Sequence, residues 1–307
     1  MIPDFQTIML PLLTILKDGK EHNLRDVIKE ISDQFNLTDE ERVQLLPSAN
    51  QAIINNRVGW ARTYLKKANL LDTPKRGVLK ITEDGIPILS KGLTKVDVKF
   101  LQTLPKFQEW QRSYAAKTDD GEAIGEESKI EAQTGKTPEE LLDYSYNQLK
   151  EELASEIIDK VKSCSPAFFE LLVIDLLIKM GYGGSRKEAG EVLGKSGDGG
   201  IDGIIKEDKL GLDTIYIQAK RWENTVTIHQ VRDFAGSLLS KKAKKGIFIT
   251  TSSYPASAKE FVGSIDPKIV LIDGNELANL MIEFKVGVSV KKTYEVQRLD
   301  SDYFDEV

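Results

Sequence analysis

The spacing of hydrophobic and polar residues predicts a helical amino-terminal part. Apolar residues recur at three- and four-residue intervals from 4 to 17 and from 24 to 35, which predicts two amphipathic helices. The same spacing predicts a third helix from Val58 to Asn69, and the run 78–82 after a Pro-Lys-Arg-Gly turn predicts a short strand. Three helices followed by a hairpin predict a winged helix.

The second part of the chain alternates strand and helix patterns. A polar, acidic segment from Tyr114 to Glu140 is poor in large apolar residues and predicts a linker. Helices are expected at 141–162 and 167–180, and later near 228–239, 256–263 and 275–284; strands are expected at 201–205, 215–220, 246–250 and 268–272. This alternation predicts an α/β domain with a mixed central sheet flanked by helices.

The length of 307 residues suits about two domains. We therefore expect the following order: a winged-helix DNA-binding domain at 1–95, a helical, acidic linker at 96–150, an α/β domain at 151–295 and a tail at 296–307.

Composition restricts the class of protein. With 40% hydrophobic and 29% charged residues the chain is an ordinary globular protein. The single Cys164 excludes an internal disulfide and a cysteine-based zinc site. The apolar stretch from Thr7 to Leu16 is too short to cross a bilayer and has no basic residues before it. A cytoplasmic protein without a membrane partner is expected.

Charge is distributed unevenly. The net charge is −6, yet residues 55–80 carry seven bases and one acid, whereas 97–150 carry seven bases and eleven acids. A local basic surface in an acidic chain favours a polyanion partner, and a winged helix presents its third helix and its wing to DNA. The residues expected to contact DNA are Arg57, Arg62, Lys66, Lys67, Lys75 and Arg76. The alternative is that these charges only solvate the outer face of a helix.

One constellation carries candidate chemistry. Asp202 ends a glycine-rich stretch, and Gln218-Ala219-Lys220 begins sixteen residues later in the strand predicted at 215–220. Because side chains alternate along a strand, Gln218 and Lys220 share one face. If the preceding strand is the hairpin neighbour, Asp202 reaches the same face, so that an acid, an amide and an amine surround one point.

Such a cluster suits phosphodiester hydrolysis with Mg²⁺. Magnesium prefers oxygen ligands and keeps several waters, so Asp202, Gln218 and the Ala219 carbonyl are candidate ligands. A bound metal ion stabilises negative charge that develops on a phosphate, and Lys220 can orient a water or stabilise the transition state.

These residues resemble a family. Gly-Asp-Gly-Gly-Ile-Asp ending at Asp202, with Gln218-Ala219-Lys220, is similar to the catalytic signature of Mrr-type restriction endonucleases in the PD-(D/E)xK nuclease superfamily. Residues 56–61 through 82–85 resemble that family's winged helix, and 246–252 its strand after the catalytic one, so the resemblance covers nearly the whole chain. It implies a restriction-endonuclease-like fold and Mg²⁺-dependent cleavage of modified, chiefly methylated, foreign DNA.

Gln218 departs from the wider superfamily, in which an acid is usual, although the Mrr group carries glutamine there. A neutral amide weakens metal affinity, and Glu170, on the apolar stripe of the helix predicted at 167–180, is a hypothetical second carboxylate. The alternative is a partly exposed acid at the edge of that stripe.

The segment Gly190–Ser196 lacks the spacing of a phosphate-binding loop, so no nucleotide cofactor is expected. Cutting both strands of a duplex calls for two active sites, which predicts a homodimer or larger assembly, associated with the nucleoid when active. Two rival functions stay open: a DNA-binding regulator that does not cleave, and a nuclease selective for branched DNA such as a junction resolvase.

Overall fold

The computed structural model describes residues 1–48, 51–115, 135–183, 200–207, 213–297, 299 and 303. They form two compact units, Met1–Gln148 and Leu149–Val307. Within the described ranges, no helix has both the length and the apolar composition that crossing a bilayer requires.

Short helices and a small sheet build the first unit. Its helices are α1 (Phe5–Ile15), α2 (Leu24–Gln34), α3 (Asp39–Val43), α4 (Ile53–Lys67), α5 (Ile86–Ser90), α6 (Val98–Leu101) and α7 (Pro105–Ala115). Its strands are β1 (His22–Asn23), β2 (Leu71–Asp72) and β3 (Val78–Ile81), antiparallel in the order β1-β3-β2. Three long helices with a β2–β3 hairpin after the third are the order that the winged-helix prediction requires.

Two local features differ from the predicted helices. α4 begins at Ile53 rather than Val58. It includes Asn56, a weak helix former, whose Oδ1 accepts a hydrogen bond from the Thr137 hydroxyl at 2.7 Å. The unpredicted α3 is short and depends on a capping box, in which Thr38 and Glu41 each bond the other's backbone amide.

The core of the first unit continues past residue 95. Beyond that position it contains Val96, Val98, Leu101 and Phe107, all with no exposed surface. The Tyr64 ring of α4 packs in tilted arrangements against Phe5 and Phe107, with ring centroids 5.4 Å and 6.0 Å apart. The packed unit is thus longer than the predicted DNA-binding domain.

The predicted linker at 114–140 is described only at its two ends. Residues 116–134 lie outside the described residues. A helix of 26 residues, α8 (Pro138–Ser163), covers the predicted helix at 141–162. The expectation of an unpacked segment up to residue 140 is wrong, because Thr137 is fully buried and Glu140 forms an ion pair with Arg57 at 2.7 Å.

The second unit is the predicted α/β domain. A four-stranded sheet has the order β4 (Gly203–Lys206), β5 (Thr214–Lys220), β6 (Lys245–Thr250) and β7 (Lys268–Ile272). The β4–β5 pair is antiparallel and the other two pairs are parallel, which confirms a mixed sheet. The helices are α8, α9 (Pro166–Lys179), α10 (Ile228–Ser240), α11 (Ala256–Gly263) and α12 (Gly274–Glu283).

A hydrophobic core covers each face of this sheet. Ile215, Ile217 and Ala219 of β5 pack into the core that includes residues of α8, α9 and α12. Tyr216 packs against the core that includes residues of α10 and α11. The side chains of β5 therefore alternate as predicted, and at the end of the strand this alternation puts Gln218 and Lys220 on one face.

Candidate active site

Asp202 is held by the strand next to it. Its backbone amide donates to the Ile217 carbonyl at 2.8 Å, immediately before β4 begins. Its side-chain Oδ2 accepts from the Ala219 amide at 2.8 Å. The hairpin neighbour that the sequence required is present, and two bonds to β5 fix the carboxylate in position.

Lys220 meets that carboxylate. Its Nζ lies 3.2 Å from Asp202 Oδ1 and 3.1 Å from Oδ2, in a setting where the two side chains are 26% and 16% exposed. The Lys220 carbonyl accepts from the buried Thr250 hydroxyl of β6 at 2.8 Å. β6 thus anchors the last residue of β5, and the ammonium is directed at Asp202.

Gln218 is buried with an unused oxygen. The residue is 8% exposed, and its Oε1 has no hydrogen-bond donor in the described part of the chain. Gly200 lies against its other terminal atom, since a Cβ at that position would be 2.7 Å from Gln218 Nε2. A buried acceptor without a donor is costly, and a cation is one partner that would satisfy it.

Glu170 of α9 belongs to the same electrostatic neighbourhood. The side chain is half-buried. Burial raises the pKa of its carboxyl, the negative charge of Asp202 raises that pKa further, and the Lys220 ammonium lowers it. The influence of both charges distinguishes Glu170 from an acid that only faces solvent.

These side chains can bind a cation only as a mixed set. Among the described residues, no three His, Cys, Asp or Glu side chains cluster closely enough to bind a metal ion. Two carboxylates, Asp202 and Glu170, are present, so further ligands must be neutral oxygens such as Gln218 Oε1 and the Ala219 carbonyl. Oxygen ligands of this kind suit Mg²⁺ rather than zinc.

Family models match most of the chain. The restriction endonuclease model of the Mrr catalytic domain matches residues 161–281, and the Mrr N-terminal domain model matches residues 5–91. The type IV methyl-directed restriction enzyme EcoKMrr of Escherichia coli strain K12 is 35% identical over 315 residues, covering 99% of this chain and 99% of that protein. The chain belongs to the Mrr family of restriction endonucleases. It is an enzyme with a restriction-endonuclease-like domain.

Two solved structures are similar to the Mrr chain at a low level. The MspJI restriction endonuclease, in complex with a 27-mer oligonucleotide, is 22% identical with a TM-score of 0.33. The matched region covers 43% of this chain and 31% of the MspJI chain. The DNA modification-dependent restriction endonuclease AspBHI is 19% identical with a TM-score of 0.34 and covers 45% of this chain and 36% of its own. The Mrr chain spans about a third of the length of each.

Arg57 does not have the place that the sequence suggested. It lies on α4, but its guanidinium makes four hydrogen bonds inside the first unit, to the carbonyls of Ile2 and Pro3 and to Glu140. Its side chain is 18% exposed. Arg57 is therefore a structural residue of the Mrr N-terminal unit, because four of its five guanidinium N–H donors are used inside that unit.

The other predicted DNA contacts lie at or near the surface. Lys66 contacts Thr73 and lies 3.6 Å from Asp72, and Lys67 lies over the Trp110 ring at 5.4 Å. The remaining three are Arg62, half-buried on α4, and Lys75 and Arg76, in the turn between β2 and β3.

Sequence reasoning missed Gly200 as part of the site. It has a positive φ of +87° and lies so close to the Gln218 amide that no larger residue fits without displacing that amide. The available signal was the pair Gly199-Gly200 in the glycine-rich stretch before Asp202. Asp198, in the same glycine-rich stretch, and the segment 190–196 lie outside the described residues.

Proposed function

We propose that this Mrr-family enzyme hydrolyses phosphodiester bonds in methylated double-stranded DNA and requires Mg²⁺. The observation that carries the proposal is that Asp202 and Lys220 converge at the end of strand β5, on which Gln218 Oε1 is buried without a hydrogen-bond donor among the described residues. The methyl-directed relative, 35% identical over 99% of both chains, supports the choice of substrate.

The side chains that would hold Mg²⁺ are Asp202, Gln218 and Glu170, together with the Ala219 carbonyl. The fit rests on the Gln218 oxygen, because a buried carbonyl oxygen that lacks a donor is a preformed ligand. Bound Mg²⁺ would stabilise the negative charge that develops on the scissile phosphate and would make a nucleophilic water more acidic.

The chain's own residues position the reacting groups. The Ala219 amide and the Lys220 ammonium together hold Asp202 in one orientation, so that little reorganisation is needed when substrate binds. In the proposal, Lys220 orients the attacking water or donates to the phosphate oxygens. Its charge then compensates the charge of the transition state.

Docking of the duplex is assigned to the amino-terminal unit. Arg62, Lys66, Lys67, Lys75 and Arg76 are the proposed DNA contacts; Arg57 is removed from that set. We propose further that the enzyme acts as a homodimer or larger assembly, since two strands must be cut. No nucleotide cofactor is required.

The test compares methylated, unmethylated and branched duplexes, each with and without Mg²⁺. Lys220→Ala is expected to abolish cleavage of methylated DNA and to retain DNA binding. Lys206→Ala is the matched control, because Lys206 is an exposed lysine at the far end of the adjacent strand β4. The Lys206→Ala enzyme should cleave at the wild-type rate.

Other outcomes select a rival function. Binding of DNA without Mg²⁺-dependent cleavage of any substrate would identify a regulator. Preferential cleavage of branched DNA regardless of methylation would identify a structure-selective nuclease.

A further inference from the structure

One face of α4 presents polar groups around a glycine. Asn55, Gly59, Arg62 and Lys66 follow one another at intervals of four, three and four residues, which places them within an arc of about 60° on the helix surface. The opposite side of the helix packs into the core of the first unit through Ala61 and Tyr64.

Neither packing nor backbone conformation within the described fold requires a glycine at position 59. It lies in the interior of a 15-residue helix, where glycine is among the poorest residues, and its φ is not positive. No atom lies within 4 Å of a Cβ built at this position, so alanine would fit without a clash. A glycine that the fold does not need is explained if another molecule approaches the backbone closely there.

The neighbouring side chains have hydrogen-bonding groups to offer. Arg62 is half-buried beside the core, and burial lowers its pKa. Within the described residues, neither Arg62 nor the exposed Asn55 has a hydrogen-bond or ion-pair partner. Lys66, one turn further on, already contacts Thr73 and Asp72. The unused donors and acceptors thus flank the glycine.

We propose that α4 reads bases in the DNA major groove, with Gly59 at the closest approach, Arg62 directed at a guanine and Asn55 at an adenine. The inference rests on the proposed function and adds which residues select the sequence. Arginine matches the guanine edge and asparagine the adenine edge by paired hydrogen bonds. Seven residues of helix separate the two side chains by about 10 Å, or roughly three base pairs.

The first test compares Gly59→Ala with Gly236→Ala. Gly236 is an exposed glycine inside a helix, α10, and like the half-buried Gly59 it has no neighbouring atom within 4 Å of a Cβ. Both variants should raise the midpoint of thermal unfolding, by about 2–4 °C if the gain is near the full helix-propensity difference. Only Gly59→Ala should weaken DNA binding, by about tenfold or more, because its methyl group meets the base pairs.

The second test reads base preference. Wild type and variants, without divalent ions, select from pools of short random-sequence duplexes that contain or lack methylated bases, and the bound DNA is sequenced. Arg62→Ala and Asn55→Ala should each lose preference at one position, about three base pairs apart. Lys66→Ala should weaken binding to all sequences alike and lower the slope of log affinity against log salt by about one.

The outcomes separate this inference from the function on which it rests. If wild type neither binds nor cleaves any duplex, the proposed function fails. If wild type binds and cleaves but Gly59→Ala matches Gly236→Ala in DNA affinity, the base-reading face is refuted. A change of oligomeric state in Gly59→Ala with unchanged DNA affinity would assign the face to a second copy of the chain, and would also refute it.

Discussion

Replacing Gly200 by alanine tests whether the position of Gln218 matters for cleavage. The new Cβ would lie 2.7 Å from Gln218 Nε2, whereas ordinary contact begins at 3.4 Å, so one of the two must move by 0.7 Å. Gln218 is 8% exposed and has little room, and its displacement carries Oε1 away from the position assigned to the metal ion. A shift of about 1 Å in a catalytic group typically costs about 100-fold in rate.

Backbone strain must be separated from that displacement. Gly200 has a φ of +87°, where alanine costs about 1–3 kcal/mol of stability. Gly181→Ala is the matched control, because Gly181 has a φ of +102° but no atom within 4 Å of its Cβ. Both variants should lose stability in denaturant unfolding. Only Gly200→Ala should lose cleavage, by roughly 10- to 100-fold in single-turnover assays at saturating Mg²⁺.

The result that would refute this reasoning is a Gly200→Ala enzyme that cleaves as fast as Gly181→Ala over a full Mg²⁺ titration. In that case the Gln218 amide either tolerates displacement or takes no part in binding the ion. A loss of rate that excess Mg²⁺ fully restores would contradict the loss expected at saturation and would limit the role of Gln218 to the affinity for the ion.

Two further predictions concern residues on either side of the unit boundary. Gln218→Glu should lower the Mg²⁺ concentration for half-maximal cleavage, because a further carboxylate joins Asp202 and Glu170 around the ion; an unchanged or higher value would contradict Gln218 as a ligand. Arg57→Ala should cost about 2–3 kcal/mol in urea unfolding, because it leaves the Glu140 carboxylate, 11% exposed, without its partner. The salt dependence of DNA binding should stay as in wild type, and a lower slope would return Arg57 to the DNA-contacting surface.

The sheet and the assembly of the site could be predicted because both depend on local rules. Alternation along β5 and its pairing with β4 are consequences of strand geometry, so Gln218, Lys220 and Asp202 could be placed from the sequence. The helices of the second unit follow equally from three- and four-residue periodicity.

Contacts between distant residues could not be predicted. Arg57 looked like one more base in a basic stretch, but Glu140, 83 positions later, takes up its charge. Asn56 is a weak helix former, so the sequence did not indicate that α4 includes it. Its hydrogen-bond partner, Thr137, is 81 positions away. The donor-free oxygen of Gln218 depends on how the surrounding strands pack, and no spacing of residue types records that.

The neutral amide at position 218 also bears on what the enzyme is without its ion. The opposite charges of Asp202 and Lys220 neutralise each other at 3.1 Å. The Glu170 carboxyl has a raised pKa, so it becomes protonated, and therefore neutral, more readily than a solvated acid. A carboxylate at position 218 in place of the amide would put three carboxylates around the Lys220 ammonium, and they would repel one another. The neutral Gln218 avoids that repulsion. We therefore expect that removing Mg²⁺ with a chelator abolishes cleavage but leaves the fold intact. Adding Mg²⁺ back should restore cleavage without a refolding step.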